Sequence, residues 1–156
     1  MELVKEFVKE IGDIPQRAEI MTAEECINLT NMVMSEMIEL LQTVMSGEEA
    51  KEVIRSSVDV DYNNSEIPET EEQIIGDQAD ACVDTVYYIL DRCLRKGINF
   101  DRFFDIVHQA NMRKRWDDGT FHKNLTNKVI KPEGWIGPNT TKEAKLQIID
   151  NGLNIF

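Results

Sequence analysis

The chain has 156 residues, 42% hydrophobic and 29% charged, which is typical of one soluble globular domain. Its formal net charge of −12 disfavours a nucleic acid polymer as partner, because such binding needs clustered Lys and Arg. No apolar run approaches the ~20 residues of a membrane span, and the amphipathic, acidic N-terminus does not resemble a signal peptide. The three cysteines match no zinc spacing and predict buried thiols in a reducing cytosol. We therefore expect a cytoplasmic protein with no membrane partner.

The first half of the chain is predicted to form three helices from its apolar spacing. The first spans residues 3–11. The second spans residues 22–46, begins with a Thr22–Glu25 capping box and is expected to end with Gly47 as its C′ residue. A short third helix is expected over residues 48–56.

Two longer segments follow a predicted loop at residues 58–69, which contains an Asn-Asn-Ser cluster and a proline. Thr70 and Gln73 form a second predicted capping box, which opens a long helix ending at Gly97. Asn99 is predicted to cap a further helix over residues 100–115.

The pattern changes after residue 115. Residues 116–139, called here the arm, contain an Asp118-Gly119 turn signal and several further Pro and Gly residues, so they are predicted to be irregular. A Thr140–Glu143 capping box should then open a short helix that stops near residues 151–152. The sequence predicts an all-α helical bundle, organised as a single domain over residues 1–156, with an irregular C-terminal arm.

Two pairs of acidic residues lie on two of these helices. Glu36 and Glu39 are three residues apart, and Asp80 and Asp84 are four apart, so each pair shares one helix face. Like charges at this spacing cost roughly a few tenths of a kcal/mol. Two such pairs on apolar helices suggest an external cation, and clustered carboxylates suit Mg²⁺.

The surroundings of the two pairs differ. Glu36 falls at the rim of a broad apolar arc, where an unpaired carboxylate is costly, and Glu39 lies nearer the polar side. Asp80 and Asp84 fall opposite their helix's apolar stripe, on an acidic face that also carries Tyr87. That face is either solvated, or covered by another helix or subunit and in need of a cation.

Basic and aromatic residues are concentrated towards the C-terminus. Asn111 and Lys114 share one helical face, and Lys128 and Lys131 lie in the arm. This arrangement suits a polyphosphate held by metal on one side and by lysines on the other, although each lysine alone is compatible with a solubilising role. Candidates for stacking on a base are Trp116, Trp135 and Tyr87, for which core or interface packing is the alternative.

Five sequence motifs, taken in order, resemble a known family. They are VKEFVKEIG before a proline, SEMIELL, DACVDTVYYIL, VHQANMRKRWDDG and NKVIKPEGW, the last with Asn127 in place of the usual glycine. The chain resembles the MazG-like, or phosphoribosyl-ATP pyrophosphohydrolase-like, branch of the all-α nucleoside triphosphate (NTP) pyrophosphatases. The resemblance covers most of the chain.

The resemblance implies a homodimer or homotetramer that hydrolyses a nucleoside triphosphate between the α- and β-phosphates, giving a monophosphate and pyrophosphate. House-cleaning of the nucleotide pool is the expected role. The implied cofactor is Mg²⁺, with Mn²⁺ as an alternative. Carried over residue by residue, the expected sites are as follows: metal ligands Glu36, Glu39, Asp80 and Asp84; general base Glu36 or Glu39; phosphate contacts Asn111, Lys114, Lys128 and Lys131.

Three other functions stay open at this point. The first is cleavage of phosphoribosyl-ATP in histidine synthesis on the same fold. The second is a helical module that binds a nucleotide or a partner without turnover. The third is a plain helical oligomerisation protein, which would show neither Mg²⁺ dependence nor stabilisation by nucleotides.

Overall fold

The computed structural model describes residues 1–12, 14–58, 68–125 and 128–149. Within these ranges the chain is all-α, as predicted, and its only β-pairing is an isolated antiparallel bridge between Lys123 and Val129. No helix in the described ranges is both long and apolar enough to cross a bilayer. The helices are α1 Glu2–Ile11, α2 Ala23–Gln42, α3 Gly47–Val58, α4 Glu71–Arg95, α5 Phe100–Met112 and α6 Thr140–Ile149.

The chain packs as two compact units whose boundary lies within α4. One unit comprises Ala18–Ala79, and the other comprises Met1–Arg17 with Asp80–Phe156. The organisation as one domain over residues 1–156 stays a prediction.

The start of α2 is as predicted, but its end is not. The Thr22 hydroxyl accepts the Glu25 N–H at 3.2 Å, and the Glu25 carboxylate accepts the Thr22 N–H at 2.8 Å. These bonds to Thr22, the backbone one first, lower the pKa of Glu25. The helix ends at Gln42, four residues before the predicted end at Ser46.

A capping box that the sequence analysis missed explains the early end of α2. The Glu49 carboxylate accepts the Ser46 hydroxyl at 2.7 Å and the Ser46 N–H at 2.9 Å, and the Ser46 hydroxyl accepts the Glu49 N–H at 3.4 Å. Ser46 therefore opens a new helix instead of closing the old one. Gly47 is the first residue of α3 and not the C′ residue of α2, so that prediction was wrong.

The unit formed by Ala18–Ala79 is organised around α2. Helix α3 packs against α2, and Ala50 in its first turns is fully buried. Gln78 of α4 binds the backbone of Met21 twice, accepting its N–H at 2.9 Å and donating to its carbonyl at 2.8 Å. The segment that leads into α2 is thereby attached to α4.

Both ends of α4 follow the sequence prediction. The Thr70 hydroxyl accepts the Gln73 N–H, and the Gln73 side chain accepts the Thr70 N–H, each at 3.3 Å. At the other end Gly97 has φ +67°, and the Ile98 N–H bonds the Cys93 carbonyl at 3.0 Å, which is a Schellman termination. Of the loop predicted at residues 58–69, residues 59–67 lie outside the described ranges.

Helix α5 begins as predicted and ends three residues early. The Asn99 side chain accepts the Arg102 N–H at 3.3 Å, but the helix ends at Met112 instead of Arg115. The Arg115 guanidinium donates to the Gly119 carbonyl and to Glu10 of α1, both at 2.6 Å. Both contacts of Arg115 lie outside α5, and the chain leaves the helix before this residue.

Helix α1 packs on α5 through a buried histidine and an aromatic pair. His108 is only 4% exposed, and its Nε2 lies 3.3 Å from the Glu6 carboxylate. The rings of Phe7 and Phe121 meet edge to face at 5.4 Å. One face of α1 thus contacts both α5 and the arm.

Helix α6 has a different cap from the one predicted. The Asn139 side chain, and not Thr140, accepts the Lys142 N–H at 3.0 Å, so the Thr140–Glu143 box was wrong. Glu143 is 6% exposed, and its Oε1 lies 2.7 Å from Arg102 of α5. Burial against α5 takes this carboxylate away from the helix terminus. The predicted stop near residues 151–152 lies outside the described ranges.

Candidate active site

Glu36 and Glu39 lie in the middle of α2, and both side chains are exposed. Apolar neighbours at helical spacing around Glu36 are exposed too, with Leu29 at 36%, Met32 at 41% and Leu40 at 60%. The predicted apolar setting of Glu36 is therefore present, but in this chain it is open to solvent.

Asp80 and Asp84 lie on α4, in the unit that does not contain the two glutamates. Both are exposed, and so are their neighbours Val83 at 61% and Tyr87 at 70%. A purely solvated acidic face does not need such apolar bulk beside the carboxylates. Solvation of this face and covering by a partner both stay open.

The four predicted carboxylates share a second property. None of them has an ion pair or hydrogen bond to another side chain within the ranges that the structure describes. Other helical acids do have one: Asp91 binds Arg95 through both oxygens at 2.9 Å, and Glu48 binds Lys51 at 3.2 Å.

The donor set fits a hard divalent cation. The described part of the chain holds no cluster of three or more His, Cys, Asp or Glu side chains that could bind a metal alone. Mg²⁺ does not need one, because it keeps several waters and is usually bound by one or two carboxylates plus substrate phosphates. A pair of carboxylates one helical turn apart meets that requirement.

The structure brings two of the predicted phosphate-binding residues together at Trp135. The Lys131 ammonium lies 4.6 Å from the centre of the indole ring, and the Lys114 ammonium lies 5.6 Å from it. The indole N–H donates to the Ala110 carbonyl in α5 at 2.9 Å. Lys114 and Lys131 are 17 positions apart in sequence, so no local pattern could have predicted that they share one aromatic ring.

The other two predicted phosphate contacts are placed differently. Asn111 is half-buried in the last turn of α5, and its carbonyl accepts the Lys114 N–H at 3.0 Å. Lys128 has an exposed side chain, and its N–H donates to the Asn124 side chain at 2.9 Å in the turn of the bridged segment. Within the described residues, the cation–π contacts of Trp135 are with Lys114 and Lys131 and not with Lys128.

The stacking candidates also have distinct settings. Trp116 stacks on His122 with ring centres 4.4 Å apart and planes 8° apart, which occupies one face of its indole. His122 in turn bonds Asp118 at 2.7 Å. Hydrogen bonds from the Thr120 backbone, His122 and the Thr120 hydroxyl lower the pKa of Asp118 to about 2. Base stacking on Trp116 or Tyr87 stays a prediction.

Comparison with known proteins agrees with the helical architecture. A solved structure from Exiguobacterium sp. 255-15, provisionally described as an NTP pyrophosphohydrolase, superposes with a TM-score of 0.79 at 24% identity. The alignment covers 96% of this chain and 94% of that chain, and at this identity it shows the fold alone. No curated protein matches the sequence.

The family is shown by a match along most of the chain. The sequence model described as phosphoribosyl-ATP pyrophosphohydrolase matches residues 4–111, well over half of the 156. The matched region includes both acidic pairs and ends at Asn111, before the arm. The chain therefore belongs to the phosphoribosyl-ATP pyrophosphohydrolase family and is a pyrophosphohydrolase of this type, a hydrolase of phosphoanhydride bonds.

Proposed function

We propose that the protein is a Mg²⁺-dependent nucleoside triphosphate pyrophosphohydrolase that cleaves between the α- and β-phosphates. Its products would be a nucleoside monophosphate and pyrophosphate. The observation that carries the proposal is the pair of unneutralised carboxylates on each of α2 and α4 in a chain of this family. Mn²⁺ is the alternative cofactor.

In this proposal, Glu36, Glu39, Asp80 and Asp84 are the metal ligands. When bound, Mg²⁺ would neutralise charge on the substrate phosphates. Phosphoryl transfer needs little covalent help from the protein, so positioning and charge stabilisation supply most of the rate. The four acids lack cationic partners in the described ranges, which leaves their charge available for that purpose.

Glu36 or Glu39 would accept the proton of the attacking water. A general base of this kind typically contributes about 10²–10⁴ in rate. Asn111, Lys114, Lys128 and Lys131 would contact the phosphates, with the lysines as point charges.

Family membership favours phosphoribosyl-ATP as the second candidate substrate, because the matched family is named for the hydrolysis of this compound. The two candidates share the site and the bond that is cleaved. They differ in the group attached to the α-phosphate, so a direct comparison of substrates distinguishes them.

We also propose that the active protein is a homodimer or homotetramer. Large apolar side chains on both acid-bearing helices are exposed in one chain, including Ile27 at 62%, Leu40 at 60% and Val44 at 79% on α2. Within the described residues no large side chain is fully buried. Association with further copies would cover such surfaces.

The test of function is pyrophosphate release from a panel of canonical and modified NTPs and dNTPs and from phosphoribosyl-ATP, with and without Mg²⁺. The NTP proposal expects turnover of at least one triphosphate that is lost on metal removal. Turnover of phosphoribosyl-ATP alone would select the biosynthetic role. Nucleotide binding with no pyrophosphate release from any substrate would overturn both and favour a binding module.

A further inference from the structure

The last turn of α5 and the arm are joined at one aromatic residue. Trp135 donates its indole N–H to the Ala110 carbonyl at 2.9 Å, and Ala110 is 1% exposed. The Trp135 backbone N–H bonds the Pro132 carbonyl at 3.2 Å across a turn in which Gly134 has φ +73°. The ring is therefore fixed at a defined place on α5 by both its side chain and its backbone.

This ring holds two cations that come from different segments. Lys114 follows α5, and Lys131 precedes the Pro132 turn. The sum of their distances to the ring centre limits the separation of the two ammonium groups to about 10 Å. Cation–π contacts offset part of their mutual repulsion. Within the described ranges Lys131 has no acidic partner, so an anion between the two ammonium groups would further stabilise them.

The surroundings of the ring favour a phosphate over a base as the bound group. The Cβ of a residue at position 137 would lie 3.4 Å from the indole, so the chain runs close to the ring there, where Gly137 stands. With the two ammonium groups over the ring as well, little face is left for a nucleobase. An adjacent pocket of about 250 Å³ is lined by Arg113 and Glu133 among others.

We propose that Lys114 and Lys131, positioned by Trp135, form a binding site for the pyrophosphate end of the substrate and for the pyrophosphate product. Trp135 is a positioning residue that acts through the two lysines. This inference rests on the proposed function, since it assigns the β- and γ-phosphates to this cluster. Charge-assisted N–H···O bonds of about 2.8 Å at both ends let one pyrophosphate bridge two ammonium groups at such a separation.

The test measures binding of inorganic pyrophosphate to the full chain by calorimetry, at fixed Mg²⁺, with a nucleoside monophosphate as the comparison ligand. Lys114→Gln and Lys131→Gln are each expected to weaken pyrophosphate about tenfold, the loss of one charged hydrogen bond. Lys145→Gln, an exposed lysine of α6, is the matched control and should leave the affinity unchanged. Monophosphate binding should be unchanged in all three.

A double-mutant cycle separates positioning from a merely structural role. Trp135→Leu should weaken pyrophosphate binding at least as much as Lys131→Gln, because it releases both lysines. Adding Lys131→Gln to it should cost little more, because Lys131 is already released. Trp135→Phe keeps the ring and should restore most of the affinity. A full additional loss in the double variant would overturn the positioning role.

Two further outcomes would overturn the proposed pyrophosphate-binding site itself. One is unchanged pyrophosphate affinity in both lysine variants. This outcome can be measured even if the Trp135 variants fail to fold. The other is an equal loss of monophosphate affinity, which would place the nucleoside end at this cluster. Pyrophosphate binding needs no turnover, so failure of the proposed function would appear separately, as absent pyrophosphate release by the unaltered protein.

Discussion

The arm and the two acid-bearing helices differ in opposite ways: the arm has an irregular backbone but specific side-chain contacts, and the helices have a regular backbone but few such contacts at their acids. The arm contains Pro and Gly breakers, yet Trp116 and His122 stack on each other within it, and Trp135 donates a hydrogen bond to Ala110 of α5. Helices α2 and α4 are long and regular, yet in the described ranges Glu36, Glu39, Asp80 and Asp84 have no side-chain partner. Many apolar side chains on the same two helices are exposed. A regular helix can therefore leave carboxylates unpaired and apolar side chains exposed, whereas an irregular segment can be held by specific side-chain contacts. The expected binding groups follow the same division, with metal ligands on the open helices and phosphate contacts on and beside the arm.

The largest effect is expected from removing charge on the open helices. Asp84→Asn and Glu39→Gln should each lower kcat for pyrophosphate release by about 10²-fold or more, the range for losing a catalytic base or a comparable transition-state contact. Asp91→Asn on α4 and Glu24→Gln on α2 are the matched controls, since Arg95 already binds Asp91 and Glu24 lies at the start of α2. Full activity in Glu39→Gln would rule out the mechanism proposed above.

Next in size is the effect of a charge on an exposed apolar position of α4. Val83→Glu should weaken self-association by more than about tenfold, because a buried unpaired carboxylate costs several kcal/mol at an interface. Leu125→Glu places the same charge on a side chain that is fully exposed, at 106%, and should not alter association. Light scattering over a concentration series measures both. Equal association of the unaltered protein and Val83→Glu would show that this face is not part of an interface.

A stability comparison tests how firmly α6 is attached to α5. Glu143→Gln removes the charge partner of Arg102 at a site that is 6% exposed, and should lower the free energy of unfolding by about 1–3 kcal/mol. Glu52→Gln breaks the exposed pair with Arg55 on α3 and should change stability by less than about 0.5 kcal/mol. Urea denaturation of both variants gives the two values, and similar losses would contradict the distinction between buried and exposed pairs.

The smallest effect is the pH response of the turn that contains Asp118. Its pKa in the folded chain is about 2, below the ordinary value of about 3.9, so the unfolded chain binds more protons between these values. The stabilisation is therefore complete above about pH 4 and is lost as the pH falls through about 2. Carboxyl NMR of the folded protein should give a titration midpoint near 2 for Asp118. Thr120→Ala removes one of the three hydrogen bonds and should raise that midpoint, and a midpoint near 3.9 in the unaltered protein would contradict these hydrogen bonds.

Local sequence chemistry predicted helix starts well and some helix ends poorly. The Thr22–Glu25 and Thr70–Gln73 boxes formed because their partners are three residues apart and need no help from the rest of the chain. The Thr140–Glu143 box failed because Asn139 caps the helix, while Arg102, 41 positions earlier, binds Glu143. The Ser46–Glu49 box has the same spacing, but Gly47 lies between the two residues, and a glycine at that place favours a helix end.

The residues of the candidate site were named from the sequence and stay a prediction, whereas their assembly in space could not be predicted. Family resemblance and helical spacing named the acids and the lysines, and the family match supports the resemblance. Contacts at long sequence separation, such as Arg115 with Glu10 or Trp135 with Ala110, leave no local pattern. The exposed carboxylates show the same limit, because in the proposed function their setting depends on metal, substrate and further copies of the chain.

The partners of α1 have a consequence for the order of events during synthesis. Glu6 bonds His108 and Glu10 bonds Arg115, at separations of 102 and 105 positions. Closing so long a loop is entropically costly, and on a ribosome it must wait until α5 and the start of the arm have emerged. Helix α1 is thus made before α5 but can dock only after α5 has been made. During translation its apolar stripe, with Phe7 facing the site of Phe121, stays available to chaperones or to neighbouring nascent chains.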